Sequence, residues 1–191
     1  MKFAQWFAEV DGQAMLPDPI QFSYLACVLD EIHHDHLKSL VNEWMTANTG
    51  HSVPPDWIWR AHHMTVKPPG VTMKDMEIYR SFFGQPVQLS VTQIAYNGKV
   101  AGRGSGGENV GTCIAVKVKP NVSFPMTTVP HITVAHSRAV QPRVSNDVLA
   151  DSRNIYAINT AMILPSVFVA IYKDQETEWP KQNYKLAKAK S

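Results

Sequence analysis

Two four-residue segments of this chain repeat one order of side chains: histidine, an apolar residue, threonine and valine. HMTV begins at His63, and HITV begins at His131. A histidine can take up or release a proton near neutral pH, because its ordinary pKa is about 6.5. A threonine hydroxyl can donate a hydrogen bond to a phosphate oxygen as negative charge develops there. Each segment therefore supplies half of the groups needed for acid–base displacement at phosphorus.

The spacing within each segment suits a β-strand, in which alternate side chains point to the same face. His63 and Thr65 would then share one face, with Met64 and Val66 turned into a core. His131 and Thr133 repeat this arrangement. A single His-x-Thr in a strand is usually a cross-strand polar pair, but two copies favour catalysis. If both face one pocket, one histidine is the base and the other the acid, and no metal ion is needed. The sequence does not show which histidine is the base and which is the acid.

Tandem His-apolar-Thr-apolar segments are the signature of the 2H phosphoesterases, and the chain resembles that family over residues 22–173. The resemblance implies an α+β fold of two pseudo-symmetric lobes, with antiparallel sheets around a central cleft. It also implies cleavage of a nucleotide phosphodiester or cyclic phosphate without a cofactor or metal ion. The catalytic residues carried over from the motifs are His63, Thr65, His131 and Thr133.

The second block, PHITVAHSRAVQPRVSND (residues 130–147), is similar to phage-encoded anti-CBASS nucleases, which degrade the cyclic di- and trinucleotide signals of a bacterial immune system. This similarity implies a cyclic oligonucleotide substrate such as 3′,3′-cGAMP and the cytoplasm of an infected host. HITVAHSR is also similar to the cyclic phosphodiesterase domains of RNA-repair ligases. An RNA 2′,3′-cyclic phosphodiesterase is therefore an alternative, and a nucleotide-binding sponge that leaves its ligand intact is another.

Substrate binding calls for aromatic surfaces and local cations, since stacking on an aromatic ring contributes about 1–3 kcal/mol per base. Tyr24 and Trp179 are the aromatic candidates, ahead of Trp57 and Trp59, which are more typical of core. The basic candidate is Arg138; Arg143, close by, is a further possible phosphate contact.

Composition bounds the remaining possibilities. A formal net charge of +2 and 45% apolar residues describe a globular chain with no field that would draw it to double-stranded nucleic acid or a membrane. Two cysteines form no disulfide framework, and no apolar run approaches the roughly 20 residues that span a bilayer. We therefore expect a cytoplasmic protein.

Chain length and the family resemblance imply one bilobal domain with an N-terminal extension (residues 1–20), a catalytic core (21–173) and a polar tail (174–191). A helix should run from an Asp30 cap to about residue 47, and a second should occupy residues 72–84. The apolar stripe of the first would be Ile32, Leu37, Leu40, Val41 and Trp44. A short helix is expected at residues 1–10, and strands at 22–29, 57–67, 87–96, 112–119, 131–137, 154–164 and 166–173.

Three further signals have weaker interpretations. GRGSGG (residues 102–107) fits a hairpin tip better than a dinucleotide-binding loop, because a strand follows it. HHDH (residues 33–36) lacks the partners of a metal site and fits a solvated first helical turn. Strict alternation turns His62 and His136 away from the face of the motif histidines, where they would support the strands or tune pKa values.

Overall fold

The structure is a computed structural model that describes residues 9–10, 13–14, 22–98, 112–126 and 128–172. Along these residues, three α-helices separate groups of strands, and short 3-10 turns lie at Arg80–Phe82 and Ser152–Asn154. The strands are β1 (Glu9–Val10), β2 (Gln13–Ala14), β3 (Phe22–Leu29), β4 (Ile58–Trp59), β5 (His63–Lys67), β6 (Pro86–Tyr96), β7 (Cys113–Pro120), β8 (His131–His136) and β9 (Ile155–Tyr172). The helices are α1 (Glu31–Thr49), α2 (Met73–Tyr79) and α3 (Val144–Ala150).

Six of these strands close into an antiparallel barrel, in the order β8, β5, β3, β9, β6 and β7, with β7 pairing back to β8. β4 also pairs with β8, and β1 and β2 form a separate two-stranded sheet. The predicted α+β class with an antiparallel sheet is confirmed. The division into two lobes around a cleft stays a prediction.

The motif strands place their apolar residues inside the barrel, as predicted. Met64 and Ile132 are 0% exposed, and Val66 and Val134 are also buried in the main core. The polar residues between them are only partly buried. Burial of the apolar set fixes the register of each strand, because a slip of one residue would turn every side chain over. The motif histidines and threonines are therefore held on the outer face of the barrel.

Helix α1 begins at the predicted cap, where the Asp30 carboxylate accepts a hydrogen bond from the His33 backbone N–H. It ends at Gly50, in a left-handed conformation with φ 78°. Its buried residues are Leu37, Val41 and Met45, each four positions apart. The predicted stripe was wrong at Ile32, which is 64% exposed, because five residues rotate a helix by about 140°.

Helix α2 is shorter than predicted. It ends at Tyr79 and continues only as the 3-10 turn at Arg80–Phe82 before Gly84. Thr72 caps it, as predicted, and exchanges hydrogen bonds with Asp75 in a capping box.

The last two predicted strands form the single strand β9, which runs through Pro165. On one side of β9, pairing with β3 begins only at Ser166, so the missing N–H of Pro165 is tolerated there. The sequence predicted two strands with Pro165 as their junction, and the structure shows pairing with β6 that continues across this proline.

Several predictions fall partly or wholly outside the described residues, namely those for residues 1–8, the hairpin tip at 99–111 and the tail with Trp179. Glu9 and Val10 lie in a strand, so the helix predicted over residues 1–10 was wrong at its end. None of the helices in the described part of the chain is long and apolar enough to cross a membrane.

Candidate active site

The two motif strands are direct neighbours. Met64 of β5 pairs with Ile132 of β8 in antiparallel register. The Thr65 end of one motif therefore lies beside the His131 end of the other. The four side chains of the repeated sequence form one patch of two imidazoles and two hydroxyls.

This patch is the floor of a pocket of about 550 Å³. All four predicted catalytic residues line it, together with Tyr24. The other lining residues include cations, amides, hydroxyls and prolines: Arg60, His62, Pro68, Pro69, Thr128, Gln141, Pro142, Arg143, Ser145 and Asn146. The volume lies within the range of about 300–1,000 Å³ that is usual for small-molecule sites.

A β-bulge shapes the first motif. The Ala61 N–H donates to the Thr133 carbonyl at 3.0 Å, yet Met64 already pairs with Ile132. His62 and His63 are thus two extra residues on this strand, and Ala61 turns the chain with a positive φ of 41°. The predicted strand over residues 57–67 is consequently interrupted between β4 and β5.

The bulge brings the rings of His62 and His63 together, which strict alternation did not predict. Their Nδ1 atoms are 2.7 Å apart and their ring planes differ by 10°. Two stacked rings cannot bring their atoms closer than van der Waals contact, which is longer than 2.7 Å. The rings therefore meet edge to edge, and the Nδ1–H of one ring donates to Nδ1 of the other. Burial, followed by the charges of His63, His34 and Arg60, lowers the pKa of His62. Burial, followed by the charges of Arg60 and His131, lowers the pKa of His63 to about 4.

The second motif is held by Ser145. The carbonyl of Val129 lies 2.8 Å from His131 Nδ1 and can only accept, so this nitrogen carries a proton. In neutral His131, Nε2 is then the acceptor, and Ser145 Oγ donates to it at 3.0 Å. Thr133 Oγ1 donates in turn to Ser145 Oγ, also at 3.0 Å. Burial lowers the pKa of His131, while the bond to Val129 opposes that shift.

Ser145 belongs to α3, a helix that the sequence analysis missed. Val148 and Leu149 of this helix pack on Cys113 and Ala115, on the outer face of β7. Ser145 lies three residues before Val148 and is 1% exposed. The missed signal was Pro142 just ahead of an apolar pattern at i, i+4 and i+5, which is typical of a helix start.

His136 also lies on the face of the motif residues, and not on the opposite face as alternation predicted. His131, Thr133 and His136 pair with residues 117, 115 and 113, which alternate regularly along β7. A register shift between Ile114 and Ala115 accounts for the odd spacing on β8. His136 is 2% exposed and its Nε2 lies 3.4 Å from Arg60 Nε.

The described lining of the pocket carries two arginines and no carboxylate, so its charge favours an anion. Arg143 was a candidate from sequence, whereas Arg60 was missed because nothing in its neighbourhood signals the bulge. Arg138 does not line the pocket; its Nε donates to the Asp56 carbonyl at 3.1 Å.

Of the aromatic residues predicted to bind a base, the structure places one in the pocket and two elsewhere. Tyr24 lines the pocket with its ring centroid 5.1 Å from that of His63. Trp57 is buried in the core and Trp59 packs against it, so neither lines the pocket. Trp179 lies outside the described residues.

No group of three or more metal-ligating side chains is close enough to hold a metal ion within the described ranges. No family model matches the chain, and no curated protein matches it.

Proposed function

We propose that this protein is a phosphodiesterase of the 2H type that cleaves 3′,5′-linked cyclic di- or trinucleotides. The observation that carries the proposal is the pairing of both His-x-Thr segments on adjacent strands in the floor of one pocket. The absence of carboxylates from its described lining, beside Arg60 and Arg143, supports an anionic ligand.

The proposed reaction is an in-line displacement at phosphorus. One histidine removes the proton of a ribose 2′-OH, and the 2′-oxygen attacks the adjacent phosphorus. The bond from phosphorus to the 5′-oxygen breaks, and the other histidine protonates that oxygen. The ring opens to a linear product with a 2′,3′-cyclic phosphate at one end and a 5′-hydroxyl at the other. Thr65 donates a hydrogen bond to a non-bridging oxygen as its charge grows, and Thr133 does the same when its hydroxyl turns from Ser145 to the ligand.

The surroundings of the histidines favour His63 as the base. Burial and nearby positive charge lower its pKa to about 4, so it is neutral at pH 7 and ready to accept a proton. Burial lowers the pKa of His131 too, but the Val129 carbonyl accepts from its Nδ1–H and opposes that shift, so His131 is the better acid of the two. Ser145 hydrogen-bonds to both His131 and Thr133, and so holds the proposed acid next to this threonine.

The lining of the pocket supports a nucleotide ligand. The pocket is bounded by Pro68 and Pro69 after β5 and by Gln141 and Pro142 before α3. Tyr24 offers a ring for stacking, and Gln141 and Asn146 offer amides that can hydrogen-bond base edges. The anti-CBASS role, the host cytoplasm and the two-lobed arrangement belong to this proposal through the resemblance of the motifs.

The test is a substrate panel. The unmodified protein should convert 3′,3′-cGAMP to a linear dinucleotide in the presence of EDTA, as followed by chromatography. His131→Ala should lower the rate by at least about a hundredfold, while His51→Ala, an exposed histidine outside the pocket, should not. Cleavage of RNA 2′,3′-cyclic ends alone would favour the RNA-repair alternative. Ligand returned intact would indicate a sponge, and loss of activity in EDTA that added metal restores would contradict the mechanism.

A further inference from the structure

Arg60 brings an uncompensated positive charge into the pocket. Among the described residues it forms no ion pair with a carboxylate. Burial lowers the pKa values of the neighbouring His62 and His63, and the Arg60 charge adds to this, so these rings contribute no positive charge near neutral pH. A bound anion would stabilise this arrangement, in which one cation lies next to two neutral imidazoles.

The side chain of Arg60 is held in place by His136. The Ser137 carbonyl lies 2.9 Å from His136 Nδ1, so that nitrogen donates and Nε2 accepts. Arg60 Nε–H fills this acceptor at 3.4 Å. The backbone is fixed as well, because the Arg60 N–H donates to the Val134 carbonyl at 2.7 Å. No protein acceptor in the described chain bonds the two terminal guanidinium nitrogens, which are the ones suited to phosphate.

The position of Arg60 differs from that of the motif residues. Along the outer face of β8 the order is His131, Thr133 and then His136. These residues pair with residues 117, 115 and 113 of β7, and four residues of a regular strand cover about 13 Å. Arg60 Nε lies at the His136 end of this row, beyond Thr133. A phosphate between the two motif histidines would therefore leave Arg60 to contact a different part of the ligand.

We propose that Arg60, positioned by His136, forms a second anion subsite that binds a phosphate group next to the one undergoing cleavage. The inference rests on the proposed function, because it places the reacting phosphate between His63 and His131. A cyclic dinucleotide carries two phosphates, and each neighbours the other through one ribose. The subsite would thus select ligands with two phosphates over ligands with one.

The experiment measures binding to the full chain carrying His131→Ala, so that ligands stay intact. Three linear probes are compared by calorimetry: ApG, which has one phosphate, and pApG and ApGp, which have a second phosphate on the 5′ or the 3′ side. At least one of the two-phosphate probes should bind about tenfold or more tightly than ApG, as expected of a charge-assisted hydrogen bond. Adding Arg60→Gln should bring this ratio close to one, and Arg60→Lys should keep part of it.

The matched control is Arg153→Gln, which removes the same charge from a side chain that is 87% exposed and outside the pocket. It should leave the affinity ratio unchanged. A ratio that survives Arg60→Gln, equal affinity for all three probes, or no binding of any probe would overturn the subsite. Cleavage of 3′,3′-cGAMP by the unmodified protein is scored separately. Cleavage without the ratio rejects the subsite alone, and the ratio without cleavage rejects the proposed reaction alone.

Discussion

The Nδ1 atoms of His62 and His63 lie 2.7 Å apart, within hydrogen-bonding distance. Consecutive residues of a regular strand cannot make this contact, since their side chains point to opposite faces. The bulge after Ala61 makes it possible, and it joins a buried neutral ring to the proposed base. The contact with His62 orients the ring of His63.

The pH dependence of cleavage follows from the lowered pKa values of both motif histidines. kcat/KM should fall at low pH as His63 becomes protonated near its pKa of about 4. It should fall again as His131 loses its proton, below the ordinary value of about 6.5 because its pKa is lowered. The profile should be a bell with its maximum on the acidic side of neutrality. Arg60→Gln should move the acidic limb upward, since the Arg60 charge helps to lower the pKa of His63. An acidic limb that stays in place in this variant would contradict the assignment of His63 as base.

Stability should also depend on pH, independently of any activity. His62, His63 and His131 have lower pKa values in the folded chain than the ordinary value of about 6.5 expected when unfolded. The unfolded chain therefore takes up protons first as pH falls, and the free energy of unfolding decreases from about pH 6.5 towards about 4. Tm measured by circular dichroism should drop by roughly 5 °C or more over this window. His62→Phe should flatten the drop and His51→Ala should not; a Tm that is constant or rises would refute the linkage.

Ser145 should act as a positioning residue. Ser145→Ala leaves His131 Nε2 and Thr133 Oγ1 without their shared partner. We expect kcat for 3′,3′-cGAMP to fall about tenfold or more, with KM changed by less than about threefold, because the lost contacts orient the reacting groups. Ser145→Thr keeps the hydroxyl and should recover much of kcat. Equal losses in both variants, or a change confined to KM, would argue for a structural role only.

Ala61 should be intolerant of branched side chains. Its φ of 41° is strained for any residue with a branched Cβ. Ala61 is also 0% exposed. Ala61→Val should lower the free energy of unfolding by about 1–3 kcal/mol and reduce cleavage, because the bulge that orients His63 would be distorted. Ala61→Gly should stay within about 1 kcal/mol of the unmodified protein. Denaturant titration measures both, and a stable, active valine variant would show that the bulge is not required.

Tyr24 should supply stacking for a base. Tyr24→Ala in the His131→Ala chain should weaken binding of 3′,3′-cGAMP about tenfold, in line with about 1–3 kcal/mol for one stacked base. Tyr24→Phe keeps the ring and should bind as before. Calorimetry with unchanged affinity in the alanine variant, together with an unchanged Tm, would remove Tyr24 from the binding surface.

Much of the architecture was accessible from sequence because it depends on local patterns. The Asp30 cap, the strands of the barrel and the inward-facing Met64 and Ile132 all follow from capping chemistry and periodicity. The convergence of the motif residues on one pocket was predicted, and they all line it.

The missed parts depend on long-range contacts. Arg60 reaches the pocket only through a bulge whose partner is Thr133, far away in sequence. Ser145 reaches it because α3 packs on β7. The places of His62 and His136 were mistaken for the same reason, since register shifts on each strand break the alternation from which they were inferred.

The direct pairing of β5 with β8 has a mechanical consequence. Backbone hydrogen bonds hold such strands about 4.8 Å apart, so the sheet limits how far the proposed acid and base can separate. Hinge bending cannot widen or narrow this separation without breaking the barrel wall. We therefore expect ligand entry and product departure to depend on the segments around the rim of the pocket.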